Sequence, residues 1–226
     1  MWMADTDGFT AMVDEARAFF AGLDANNTKE WFEPRKAHYQ THIRQPAELM
    51  CALIGEEIAR RTGKGHSGKV LRIYRDVRFS KDKRPYNAHL HMVWWHGAGK
   101  DDAEAGCAWF FACSPTQLAL NMGAPSFKGD ALLAWRRFVD AHGDELAEAI
   151  AVAGCGFSEW GEPPLKKVPS PYDAAHPHAD LLKRRSLILD APLGEGWRGE
   201  GGLLTAILAR CETLMPVWRL LDEHLR

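Results

Sequence analysis

The chain has 226 residues, 46% hydrophobic and 26% charged, and its 28 Lys+Arg against 30 Asp+Glu leave a formal charge of -2. These are ordinary values for a globular protein and exclude collagen-like and disordered classes. The longest apolar run, over residues 106–113, is strand-sized and far short of the roughly 18 residues a membrane-spanning helix needs.

The first seven residues lack the basic and apolar regions of a secretion signal, so a cytoplasmic location is expected. Cysteine usage agrees. Cys51, Cys107, Cys113, Cys155 and Cys211 are scattered, odd in number and without a CxxC spacing. Buried, inert thiols are expected of them. Nine tryptophans and ten phenylalanines supply aromatic volume for a core.

In chain order the first element is a helix. Phe9, Met12, Val13, Ala16, Phe19, Phe20 and Leu23 recur at three- and four-residue steps. Asn26-Asn27 breaks it, and Asn27 with Glu30 three residues on reads as a capping box for a second helix. That helix carries Trp31, Arg35, His38, Tyr39 and His42 on a mixed face. Pro46 suits the first turn of a third helix, with Leu49, Leu53, Ile54 and Ile58 inward and Thr62-Gly63 as the stop.

The period then changes to two. Over residues 70–79, Leu71, Ile73, Arg75, Val77 and Phe79 alternate with Arg72, Tyr74, Asp76 and Arg78, which predicts a strand. The run 63–69 reads as a flexible approach to it and 80–85 as a turn. Further strands are predicted over 89–95, 107–113 and 117–122, with a Gly/Asp-rich hairpin loop over 97–106. Helices return around Leu132, Leu133, Trp135, Phe138 and Val139, then around Leu146, Ile150 and Val152. Residues 154–164 read as loop, Leu181-Leu182 as a short helix, and 186–189 as an added edge strand. A last helix over 203–225 contains Pro216, which is expected to kink it. The order predicts an α+β fold: N-terminal helices, a central antiparallel sheet of about four to five strands, and C-terminal helices. One domain over 1–226 is expected, with helical lobes over 1–63 and 128–226 around a sheet over 68–123.

The densest chemical signal lies in residues 72–86. Six cations (Arg72, Arg75, Arg78, Lys81, Lys83, Arg84) stand against two anions (Asp76, Asp82), a net of +4 in a chain of net -2. Guanidinium forks bind carboxylate or phosphate bidentately, and a positive hollow concentrates anionic ligands. A binding role is therefore read for Arg72, Arg75, Arg78, Lys81, Lys83 and Tyr86. Arg72 and Arg78 act as clamps in this reading, Asp76 orients them, Lys81 and Lys83 add mobile charge, and Tyr86 offers a hydroxyl. The groups available to handle protons are Asp76, Asp82 and Tyr86, though no spacing pairs them for catalysis. The competing reading is a salt-bridge ladder on the surface.

The run Arg72-Ile73-Tyr74-Arg75-Asp76-Val77-Arg78-Phe79-Ser80-Lys81-Asp82-Lys83, followed by Pro85-Tyr86, resembles the signature of an uncharacterised conserved family, domain of unknown function 2461. Asn26-Asn27 with Glu30-Trp31-Phe32 and Tyr39 resembles its N-terminal motif. Gly161-Glu162, Leu165-Lys166, Pro169, Tyr172 and His176-Pro177 through Leu182 resemble its later ones. The chain departs from the pattern at Arg84 (usually threonine), Asn87 (usually lysine) and Ser170 (commonly glycine). The resemblance implies a soluble bacterial or fungal protein of about this length, and it brings no activity, cofactor or catalytic residue.

Weaker signals surround this one. His89 and His91 share a strand face with His96 near, and His176 and His178 form a second pair, but each lacks a closely spaced third ligand, so no metal is expected. No GxSxG, GxGxxG or GxxxxGK[ST] motif occurs, and no cofactor is expected. Trp94-Trp95 and Trp109-Phe110-Phe111 read as core. A second basic cluster, Lys166-Lys167 with Lys183-Arg184-Arg185, would support nucleic-acid binding if it joined the first, against which the slightly acidic balance of the chain argues. Three functions stay open: a small anionic ligand bound or turned over, a non-enzymatic structural or protein-interaction module, and weak nucleic-acid binding. The mixed face of the second helix, through Tyr39 and His42, is expected to approach the basic segment.

Overall fold

The structure, a computed structural model, describes residues 8–96, 107–199 and 201–225; the predicted hairpin loop over 97–106 lies outside them. Helix α1 (Gly8–Ala25) buries Met12, Val13, Ala16, Phe19, Phe20 and Leu23, the stripe its spacing predicts. It ends where Asn26 Nδ2 donates to the Gly22 carbonyl (3.1 Å), a side chain replacing the next turn. Gly22 is bare for a reason: the Trp31 indole lies 2.8 Å from where a Cβ would stand.

The second predicted helix is a run of differing helical turns. It comprises α2 (Lys29–Phe32), a 3-10 turn at Glu33–Arg35, α3 (Lys36–Tyr39) and a π turn at Gln40–Arg44 that leads into α4 (Gln45–Thr62). Pro34 sits in the first positions of the 3-10 turn, where its missing N–H interrupts no α-helical bond. The cap differs from expectation. Thr28, not Asn27, is the N-cap, its hydroxyl accepting from the Trp31 N–H at 3.3 Å. Helix α4 ends at Gly63 in the left-handed region (φ 69), the stop read from the sequence. Its inward stripe is Ala47, Met50, Cys51, Ile54 and Ile58. Leu49, expected inward, is 58% exposed because it lies nearly half a turn from the centre of that stripe.

Strand β1 (His66–Val70) comes earlier than predicted, in the run read as a flexible approach. The expected strand over 70–79 does not form; beyond Val70 there is one isolated antiparallel bridge, Tyr74 to Tyr86. The cause is local chemistry. Asp76 accepts the Arg78 N–H (3.2 Å) and Asp82 accepts the Arg84 N–H (3.0 Å), each pulling the backbone into an Asx-type turn that competes with a ladder. Alternation consequently fails as a guide to burial: Ile73 is buried, but Phe79, predicted on the same side, is 96% exposed.

Strands β2 (Leu90–His96), β3 (Ala108–Cys113) and β4 (Leu118–Ala124) fall where the sequence places them. Helix α5 (Gly129–Ala153) joins the two predicted helices across an irregular residue, His142 (φ -130, ψ 20). Strand β5 (Gly156–Phe157), in a stretch read as loop, pairs antiparallel with β6 (Leu187–Pro192), Gly156 opposite Asp190 and Phe157 opposite Leu189. Helix α6 (Ala179–Leu182) precedes β6, and α7 (Gly202–His224) runs through Pro216 as one helix. The antiparallel sheet has six strands, in the order β1-β2-β3-β4-β6-β5, one more than the upper expectation. Strand β6 therefore lies inside the sheet, and β5, not β6, is the edge. The architecture is α+β with helices at both ends.

The chain divides into two compact units, one drawing on Met1–Trp94, Phe110–Leu120 and Pro192–Ala209, the other on Trp95–Trp109, Asn121–Ala191 and Arg210–Arg226. In the first, Phe19, Phe32 and Tyr39 form an aromatic cluster with centroids 5.4–6.2 Å apart. Trp94 is clasped by two glycines, Gly55 of α4 and Gly68 of β1, and its Nε1 donates to the Cys51 carbonyl (2.7 Å). In the second, Trp135 stacks on Phe127 (4.9 Å) and donates to the Leu181 carbonyl (3.1 Å). Among the described residues no helix is long and apolar enough to cross a membrane.

Candidate functional site

Residues 72–86 leave the sheet and return to it, closed by Arg75 N–H to Pro85 C=O (2.9 Å) and Asn87 N–H to Ile73 C=O (2.7 Å). Two Asp-x-Arg clips shape the excursion. In the first, Asp76 accepts from Arg78 Nε (2.9 Å) and Nη2 (2.6 Å) as well as from its backbone. In the second, Asp82 accepts from the Arg84 backbone and Nε (3.0 Å each) and from Arg75 Nη1 (2.8 Å). Arg84 also reaches Asp24 of α1 (2.9 Å). Lys83 Nζ donates to the Val77 carbonyl (3.0 Å), and Lys81 is exposed.

The tyrosine is a wall, not a tip. Tyr86 is buried, stacked on Phe32 at 4.4 Å and beside Tyr74 at 5.4 Å. Asn27 grips its backbone on both sides, Nδ2 donating to the Tyr86 carbonyl and Oδ1 accepting the Tyr86 N–H, each at 3.0 Å. Sequence reasoning gave Asn27 to a cap; its partner 59 residues away is invisible to local pattern. Asn27→Ala should lower unfolding stability by about 2 kcal/mol, two hydrogen bonds at about 1 kcal/mol each. Urea denaturation checks it, and a change under about 0.5 kcal/mol would mean Asn27 does not pin the segment.

The charge states follow from these contacts. The Arg78 guanidinium holds the Asp76 carboxyl below its usual range. The backbone N–H of Arg84, aided by the Arg84 and Arg75 side chains, draws Asp82 down to about 2. Burial pushes the Tyr86 hydroxyl up, with Tyr74 and Glu33 adding to it. Near neutrality both carboxylates are ionised and the phenol is protonated, which is how anchoring groups behave; a proton-transfer group works best with a pKa near the operating pH.

Two hollows flank the segment. One of about 520 Å³ is lined by Asp24, Arg75, Asp82, Arg84, Tyr86 and His89 among others, and its two carboxylates balance its two guanidiniums. The other, of about 620 Å³, is lined by Lys69, Arg72, Tyr74, Arg75, Asp76 and Asn87 with residues 70–71, three cations against one carboxylate. The structure thus brings Arg72 and Arg75 together. It sends Arg78, Lys81 and Lys83 elsewhere, and it gives Asp82 and Tyr86 to the balanced hollow. Sequence reasoning missed Lys69 and Asn87 as lining residues: Lys69 sat in a stretch read as flexible, and Asn87 was noted only as a departure from a pattern.

The face carrying Tyr39 and His42 divides. Tyr39 approaches the segment through Phe32 and lies beside Arg44, whose Nη1 donates to the Leu71 carbonyl (2.9 Å). His42 instead lies beside the His38 ring (4.5 Å), which bonds Glu15 of α1 (2.9 Å). The His89 and His91 rings do lie together, tilted at 31° with centroids 4.1 Å apart, but among the described residues no group of three or more His, Cys, Asp or Glu is placed to hold a metal ion. All five cysteines are free thiols; burial pushes Cys51 up to about 11 and Cys113 up to about 12. In the second basic cluster Lys183 pairs with Asp180 and Arg185 with Glu162.

An α+β protein with a doubly clipped basic excursion is the class these features define. The chain belongs to the conserved hypothetical family known as domain of unknown function 2461, whose family model matches residues 15–219. A search of curated proteins finds no match to the chain.

Proposed function

We propose that the protein binds a small, multiply charged anion, of the phosphorylated-metabolite class, in the hollow walled by Lys69, Arg72 and Arg75. One observation carries the reading: the Arg72 guanidinium, which makes no ion pair among the described residues, and the uncommitted N–H groups of Arg75 line this hollow, whose carboxylate, Asp76, is already occupied by Arg78. Among the described residues the Arg72 guanidinium forms no hydrogen bond or ion pair. Arg75 commits only Nη1 to the protein, which leaves its other N–H groups for a ligand. Arg72 and Arg75 are the clamps in this account, in place of Arg72 and Arg78, and the Asp82 and Arg84 contacts hold Arg75 in a fixed rotamer, which preorganises the site. Asp76, Asp82 and Tyr86 serve as anchors, so the reading is binding without turnover. The free cysteines support a reducing, cytoplasmic setting.

A second reading rests on Phe79. It is 96% exposed at the far end of the excursion, with the Arg78 guanidinium 5.9 Å from its ring, an arrangement suited to an acidic protein partner. Phe79→Ala leaves anion binding unchanged if the hollow is the site.

Thermal-shift titration with phosphate, pyrophosphate and citrate tests the proposal. A bound anion at 100 times its Kd adds about 2.7 kcal/mol of stability. Arg72→Ala should weaken binding at least tenfold while changing the unliganded stability by less than about 0.5 kcal/mol, because the side chain is exposed. The proposal fails if no anion stabilises the wild type, or if the variant binds as well as the wild type.

A further inference from the structure

A separate hollow of about 630 Å³ lies wholly within the second unit. The last turns of α5 (Ile150, Ala151), Phe157 of β5, Pro164, Leu165 and Leu181 give it a mostly apolar lining. Its volume is that of a small-molecule pocket. Five polar side chains reach its rim, and four are accounted for. Lys183 and Asp180 pair with each other (2.5 Å), His178 Nε2 is hydrogen-bonded to Asp144 (2.8 Å), and the Cys155 thiol donates to the Ala153 carbonyl (3.3 Å). Burial pushes that thiol up, so it lines the hollow as a neutral group and not as a nucleophile.

Arg184 is the exception. Its guanidinium is partly buried and lies over the Phe157 ring, 3.7 Å from the centroid. Among the described residues it makes no ion pair or side-chain hydrogen bond. Burial works against its charge, which Asp180 offsets only in lesser part. Stacking occupies the face of a guanidinium and leaves its N–H edge, the fork that matches a carboxylate. A single uncompensated positive charge beside an apolar wall suits a monoanion; a dianionic phosphate would bring a second charge with no partner in the lining.

We propose that this hollow binds an apolar monocarboxylate, its carboxylate on Arg184 and its hydrocarbon body against Ile150, Leu165 and Leu181. The site is independent of the anion hollow proposed above. Calorimetric titration with 2-naphthoate and with its uncharged isostere 2-naphthamide tests it. Naphthoate should bind at least tenfold more tightly than the amide, and Arg184→Gln should remove that difference. Ala151→Phe, at an exposed helix position facing the hollow, should abolish binding of both. If Arg184→Gln does not fold, Arg184→Lys, which keeps the charge and loses the fork, should lower naphthoate affinity severalfold. Equal affinity for acid and amide, unchanged binding in both Arg184 variants, or no naphthoate binding at all overturns the proposal. Arg72→Ala separates the two sites, because it should leave naphthoate binding unchanged.

Discussion

Gly123→Ala should destabilise the protein by about 4 kcal/mol or more, enough to unfold most of a marginally stable domain. Gly123 lies in β4 with φ +146, where side-chain-bearing residues are strained, and the next strand in the sheet order, β6, runs against it. A Cβ there would overlap the Leu187 carbonyl oxygen and stand 2.8 Å from the Leu187 carbonyl carbon and 2.9 Å from the Ile188 Cα. All three are backbone atoms of an interior strand, so none can swing aside as a side chain would. Strain of about 1–3 kcal/mol therefore adds to the cost of parting two strands. Gly63→Ala is the control: its φ is +69, but nothing lies within 4 Å of the new methyl, and only about 1 kcal/mol is expected. Urea denaturation of both variants decides it. If Gly123→Ala costs no more than Gly63→Ala, the β4–β6 contact is not as close as described.

The second large effect is a loss of stability on the acid side, centred on a histidine pair. His91 is held down to about 4, mainly by burial and then by the charge His89 would carry; burial and Arg75 lower His89 too. Both folded pKa values lie below the unfolded one, so at mildly acid pH the unfolded chain binds protons that the native protein refuses. The stabilisation is complete above about pH 6.5 and drains away as pH falls toward 4, by about 3 kcal/mol for His91 at about 1.4 kcal/mol per pH unit. The lowered carboxylates of Asp76 and Asp82 act in a different window, losing their contribution only below their unfolded values near 3.8. Denaturation midpoints from pH 7 to pH 4 should fall steeply in the wild type and much less in His91→Gln. Parallel curves for the two proteins would show that His91 titrates normally.

The elements that were legible are those whose signal is local and periodic. Helix α1 and strands β2, β3 and β4 appear where apolar spacing puts them, since a helix face or a strand pleat is written in the order of residues. Leu49 shows the limit within an element: the four apolar positions Leu49, Leu53, Ile54 and Ile58 fit more than one helical stripe, and packing chose the stripe through Ala47 and Met50. The excursion at 72–86 misled for another reason. Its alternation is strand-like, but Asp76 and Asp82 each stand two residues before an arginine, and an aspartate that can reach the i+2 N–H offers the backbone a rival to the ladder. That signal was present in the sequence and lost to the stronger-looking period.

The candidate site divides along the same line. Six cations between residues 72 and 84 mark where charge is concentrated, and the family resemblance spans the chain. A count of charges does not say which are answered. The Arg78 clip is local, but Arg84 meets Asp24 across 60 residues and Tyr86 meets Asn27 across 59. Arg184 likewise read as one member of a basic run until Lys183 and Arg185 proved to have acids of their own and it did not.

By itself the sequence determined the α+β order of elements, the family and the location of the excess positive charge, because periodicity, composition and motif are properties of neighbours along the chain. Only the tertiary structure decided which guanidiniums are neutralised, which hollow keeps a surplus and where a bare arginine meets an apolar wall. Electrostatic satisfaction is settled by distance in space, and segments far apart in sequence supply the partners.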